Sequence, residues 1–100
     1  MLPHRLTGLD EIALPGCPRA FVASTYASRL LGLIGLAGLP PDCGLLLPRC
    51  RSVHTFGMRF ALDIDFLDAD GHVLRRVRNV PPRRLVWCRG AAAVLERSAA

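Results

Sequence analysis

The sequence contains no lysine and no glutamine, and asparagine occurs once. All thirteen basic side chains are arginine. Ala, Leu, Gly and Pro are abundant beside them, the pattern of GC-rich codons. That bias discounts both the arginine excess and the +5 formal charge as signs of function. Arginine remains distinct in kind, because its planar fork grips carboxylates and phosphates in two places. Long apolar runs are also missing. The longest, Leu30 to Leu39, has ten residues, about half of what a bilayer span needs. Pro3, Asp10, Glu11 and Pro15 interrupt the first twenty residues, so no signal-peptide core is expected there. The four cysteines (Cys17, Cys43, Cys50, Cys88) are spaced by 26, 7 and 38 positions. No C-x-x-C exists, which excludes a zinc ribbon and a thioredoxin motif. These absences point to a cytoplasmic protein with reduced thiols, no membrane partner and no cofactor.

Half the chain, 51%, is hydrophobic and only 21% is charged. That suffices for a thin core without staples and argues against disorder. One domain over residues 1–100 is expected. Gly and Pro punctuation predicts many short elements. "DEIALPGCPRAFVAS" reads as two strands around a turn at Pro15-Gly16. Tyr26, Leu30, Leu33 and Ile34 share one helical face, which predicts a short helix over about residues 25–35. "LLLP" is a short buried strand. From His54 to Phe66 apolar residues hold every even position after the histidine: Phe56, Met58, Phe60, Leu62, Ile64 and Phe66. This period of two predicts one long strand with a buried face. Asp68 to Gly71 is a hairpin turn, and "HVLRRVRNV", "LVWC" and "AAAVLER" read as further strands. The fold class is mainly β, with α+β at its margin. A small sandwich or barrel-like domain of short antiparallel strands with one short helix is expected.

The order of motifs resembles a known family. "TYASRLLGLIG", then a Gly-Leu-Leu strand, then "HTFGMRFALDIDFLDADGHV" and "GAAAVLE" are similar to the uncharacterised family called domain of unknown function 192. The matching positions are Arg29, Gly32, Leu33 and Ile34; Phe56, Met58 and Arg59; Leu62, Asp63, Ile64, Phe66, Leu67, Asp68 and Gly71; and Gly90, Ala91, Val94, Leu95 and Glu96. The match runs over about residues 20–96. It implies a small β-sandwich or barrel with one short helix, and no established activity. Ala61 stands where the family has proline. The chain stops at "RSAA", where the family continues with a closing Gly-rich element. An absent closing strand implies an uncovered sheet edge: either the chain is a truncated one, or a partner or a second copy, as a homodimer, covers it.

Several residue sets are candidates for chemistry. A thiol becomes a nucleophile beside a base or cation, and Arg49 and Arg51 flank Cys50, with His54 nearby. Four residues of extended chain, however, separate two side chains by roughly 13 Å, so a Cys50–His54 pair needs a turn between them. Cys43, Cys50, His54 and Cys88 could gather only through the fold, and no metal site is expected. Asp63 and Asp65 lie on one strand face about 7 Å apart. Asp63 is expected to meet Arg59 or Arg29, and Asp65 to face water. The Phe stripe, Met58 and Trp87 read as core. Arg75, Arg76, Arg78, Arg83, Arg84 and Arg89 read as a solvated face rather than a nucleic-acid groove, since aromatic interleaving is poor. The favoured reading is a module binding a small ligand or a peptide, with His54, Thr55, Arg59, Asp63 and Arg29 at a cleft mouth. The alternatives are a Cys50-dependent hydrolase or thiol-transfer enzyme, and nucleic-acid binding through the arginines.

Overall fold

The first two apolar runs meet at Pro15-Gly16, where Gly16 adopts φ 77°, the left-handed backbone that a tight hairpin demands. In the computed structural model, which describes residues 2–25 and 32–99, these runs are β1 (Asp10–Leu14) and β2 (Cys17–Val22). The following strands are β3 (Cys43–Pro48), β4 (Ser52–His54), β5 (Leu62–Leu67), β6 (Val73–Val80), β7 (Leu85–Trp87) and β8 (Ala93–Ser98). Six of them build one open sheet in the order β1-β2-β3-β8-β5-β6, and β4 with β7 forms a two-stranded ribbon. The protein is therefore mainly β, in two sheets, and not a closed barrel. Not every pairing is antiparallel: β2 and β3 run parallel.

The large sheet separates two environments. Leu45 and Leu47 of β3, Leu62, Ile64 and Phe66 of β5, and Val94 of β8 enter the main core. Val53 of β4 joins them, and Val86 of β7 packs against that core. The opposite face carries a smaller cluster of Cys17, Ala20, Leu67 and Leu95. Asp63 and Asp65 alternate with the core residues of β5 and so share that second face. Every residue of β5 is buried. Its alternation separates apolar from ionic packing, rather than core from water.

Three expectations change here. The predicted long strand from His54 to Phe66 is two strands in two sheets. Gly57, at φ 81°, turns the chain between them. The Met58 N–H donates to the Thr55 carbonyl at 3.2 Å across that turn. Thr55 is consequently buried and Phe56 is 54% exposed, opposite to the even-position rule. Trp87 is also outside, 60% exposed, because β7 turns Val86 inward and Leu85 and Trp87 outward. Most of the helix expected at about residues 25–35, including Tyr26 and Arg29, lies outside the described residues. Residues 32–35 form turns.

β8, which carries "AVLERS", lies inside the sheet, paired with β3 on one side and β5 on the other. The open edges belong to β1 and β6. The β5–β6 hairpin closes at Asp68 to Gly71. The Asp68 carboxylate accepts the N–H groups of Asp70 and His72, each at 2.9 Å, while Gly71 takes φ 87°.

Candidate functional site

A cleft of about 200 Å³ opens beside the ribbon. Leu33 and Ile34 of the Gly32 turn, Leu47 of β3, Val53 of β4 and Met58 of the Gly57 turn supply apolar walls. Cys50, Ser52, His54 and Glu96 supply its polar groups. Each is there for a local reason. β3 ends at Pro48, and Arg49 adopts φ 51°, so the chain bends before β4. The bend leaves the Cys50 thiol donating to the Ser52 carbonyl at 3.1 Å. His54 ends β4 and packs tilted against Phe56, with ring centroids 5.9 Å apart. Cys50 and His54 thus line one cleft, as a catalytic pair would have to.

Glu96 is the unusual member. It alternates with Val94 along β8 and so projects to the main-core face. Its register partners are Leu45 on β3 and Ile64 on β5, both apolar. The residue is 5% exposed. Among the described residues nothing donates a hydrogen bond to its carboxylate, and no cation pairs with it. Burial raises its pKa from 4.5 to about 7. Buried polar groups are ordinarily partnered within the protein, whereas this carboxylate opens to the cleft.

The other predicted site residues are distributed differently. The Thr55 hydroxyl donates to the Pro81 carbonyl at 2.7 Å and accepts the Arg84 N–H at 2.8 Å. That is a structural tie between the Gly57 turn and the loop before β7. Arg59 is exposed and donates to the Gly35 carbonyl at 3.4 Å. Asp63 lies on the opposite face of the sheet from Glu96, so the two do not share a site. Its partners among the described residues do not include Arg59: Asp63 accepts the Asn79 N–H at 2.9 Å and meets Arg78 at 3.5 Å. A separate hollow of about 250 Å³ is lined there by Asp63, Arg78 and Arg97. Asp65 does not face water. It is 3% exposed and takes Arg76 at 2.8 and 3.2 Å and Arg97 at 3.1 Å. Arg29 lies outside the described residues.

The four cysteines are free. Burial raises the thiols of Cys17 and Cys43, which makes them inert core groups rather than nucleophiles. Among the described residues, Cys50, His54 and Glu96 do not bring their ligating atoms within metal-binding range of one another. Asp68, Asp70 and His72 do, within 4.8 Å. That trio is a hairpin turn whose hydrogen bonds already account for it. The same backbone bonds hold the Asp68 carboxyl below its ordinary pKa.

With this arrangement established, comparison decides the lineage. A family profile described as an uncharacterized ACR, domain of unknown function 192, matches residues 16–99. The chain belongs to that family. In this domain of unknown function 192 member, Glu96 lies in an interior strand between β3 and β5. The fold is similar to a protein of unknown function from Novosphingobium aromaticivorans DSM 12444, with 25% identity and a TM-score of 0.72. That likeness covers 81% of this chain and 63% of the other, so this chain spans less than two thirds of that protein. It is equally similar to a protein of Sinorhizobium meliloti 1021 provisionally named a transcription regulator. There the identity is 26%, the TM-score 0.72, and the coverage 81% of this chain and 68% of the other. No curated protein matches the chain. Among the described residues, no helix is long and apolar enough to cross a membrane.

Glu96 stands in the "GAAAVLE" motif, and residue type alone gives it no role there. The signal was present. In "AAAVLERS" a period of two puts Glu96 on the same side as Val94, which sets a carboxylate on an apolar face.

Proposed function

We propose that this protein is a small-ligand binding module whose site is the cleft between the Gly32 turn, the Gly57 turn and β4. The observation that supports the reading is a carboxylate, buried and unpartnered among the described residues, opening into an apolar-walled cleft. Apolar walls with a few convergent polar groups are the general form of ligand pockets. A volume of about 200 Å³ falls below the roughly 300–1,000 Å³ of drug-sized sites. A compact molecule suits it better than a peptide. Titration of the labelled protein with a library of small fragments, followed by amide NMR, tests the reading. Binders should perturb Leu47, Val53, His54 and Glu96, and Cys50→Phe, which fills the rim, should abolish those shifts. Perturbations that map elsewhere, or that survive Cys50→Phe, count against the site.

A second reading, a Cys50-dependent enzyme, is favoured by one feature: Cys50 and His54 line the same cleft. It predicts that iodoacetamide labels Cys50 faster than the other half-buried thiol, Cys88, and that His54→Ala removes the difference. Equal rates at the two sites would exclude it.

A further inference from the structure

Among the described residues, the cleft lining holds one acidic group and no arginine, and the titratable groups sharing it with Glu96 are Cys50 and His54. The strands beside Glu96 offer only Leu45 and Ile64 at its register, so neither supplies a counter-ion. An isolated carboxylate is costly to bury unless a cation or several donors compensate it. A neutral donor would give one hydrogen bond and leave the charge in place. A cation would remove the cause of the penalty.

We propose that the ligand is a small organic cation, an ammonium group on a compact apolar body, ion-paired with Glu96. This rests on the cleft being the binding site. The nitrogen occupies the Glu96 end, and the apolar body lies against Leu33, Leu47, Val53 and Met58. The Met58 thioether is a soft, adaptable surface for that body. Glu96 retains its proton up to neutral pH when the cleft is empty of a cation. Binding of a cation therefore expels a proton, and affinity rises with pH through neutrality.

The test compares n-butyl-, cyclohexyl- and benzylammonium with the matching alcohols, by NMR titration at about pH 8, where these ammonium groups stay charged. Both the native chain and Glu96→Gln are titrated. At least one ammonium should bind about tenfold more tightly than its alcohol. Glu96→Gln, which keeps shape and removes charge, should reduce the ammonium to the affinity of the alcohol. Calorimetry in two buffers of different ionisation enthalpy should register proton release near pH 7 with the native chain and none with the variant. Equal affinity for ammonium and alcohol, both at the cleft, overturns the cation and leaves the binding site standing. Ammonium binding that survives Glu96→Gln also overturns it. A cleft that takes none of these probes while fragments of other chemistry perturb it rejects the cation alone. A cleft that takes no fragment at all rejects the site as well.

Discussion

Glu96 has Leu45 and Ile64 beside it where a carboxylate in a stable core would have a donor. The effect on stability has a definite sign. A carboxyl whose folded pKa is raised contributes nothing unfavourable below its unfolded value, because both states hold the proton. Between 4.5 and about 7 the unfolded chain loses its proton first, and stability falls as pH rises. The full loss above pH 7 is roughly 3 kcal/mol, from about 1.4 kcal/mol for each pKa unit. Glu96→Gln should therefore unfold at higher urea concentration than the native chain at pH 8, and at nearly the same concentration at pH 4. A variant less stable at pH 8 would mean that the carboxylate has a partner. Thr55 is the opposite case, a buried polar group fully satisfied. Thr55→Val strips its bonds to Pro81 and Arg84 and should cost about 1–3 kcal/mol in chemical denaturation.

At the level of elements, much of the chain was readable from its residues, and the failures have common causes. Turn chemistry gave the β1–β2 and β5–β6 hairpins correctly, since Gly16 and Gly71 both take positive φ. Period two identified β5 and β6 but overran into the Gly57 turn, because an alternating apolar pattern continues in sequence where the backbone does not continue in space. Phe56 and Trp87 read as core by residue type, yet register placed them outside. The cleft was half legible: His54 and Cys50 stand out by chemistry alone. For Glu96 the sequence carries its shared side with Val94, and the sheet order adds that β8 is interior, with apolar residues on both sides. Asp63 does not join His54 at one cleft, because alternation sets it on the other face, where it lines the second hollow. Its carboxylate instead bonds the N–H of Asn79, a residue at φ 54° opposite a break in the β5–β6 register. That is a bulge anchor. Two glycines make the element scale testable. A Cβ on Gly44 would lie 2.9 Å from Cys17 Sγ and 3.0 Å from Leu95 Cδ1. Gly44→Ala should cost about 1–3 kcal/mol by overpacking the second face, as thermal unfolding would show, without altering the cleft. Gly57→Ala forces a side chain onto positive φ and brings it 3.0 Å from Ile34 Cγ2, a cleft wall. That variant should shift Ile34 and Met58 resonances as well as lower stability.

For the molecule as a whole, charge is used to join strands. Asp65 on β5 receives Arg76 from β6 and Arg97 from β8, tying three adjacent strands on the face away from the cleft. Arg97 also donates to the Gly16 carbonyl at 3.1 Å, which reaches the β1–β2 turn. Arg75 bonds the Trp87 carbonyl and Arg5 bonds the Ile34 carbonyl, so several arginines serve the chain's own backbone. Asp65→Ala leaves two cations without their acceptor. Both cations retain some contact with water, so the loss should be about 2 kcal/mol, below the 3–5 of a fully buried pair. Equilibrium urea unfolding measures it. The acidic groups of the sheet thus differ in one respect that organises the molecule. Asp63 and Asp65 on one face meet arginines, and Glu11 at the β1 edge meets Arg19, while Glu96 beside the cleft meets no cation among the described residues. The account stands on that contrast, and carbon-13 NMR of the Glu96 carboxyl reads it directly. Its titration midpoint should lie near 7 in the free protein and fall when butylammonium is added. A midpoint in the ordinary carboxylate range, unmoved by the amine, would contradict it.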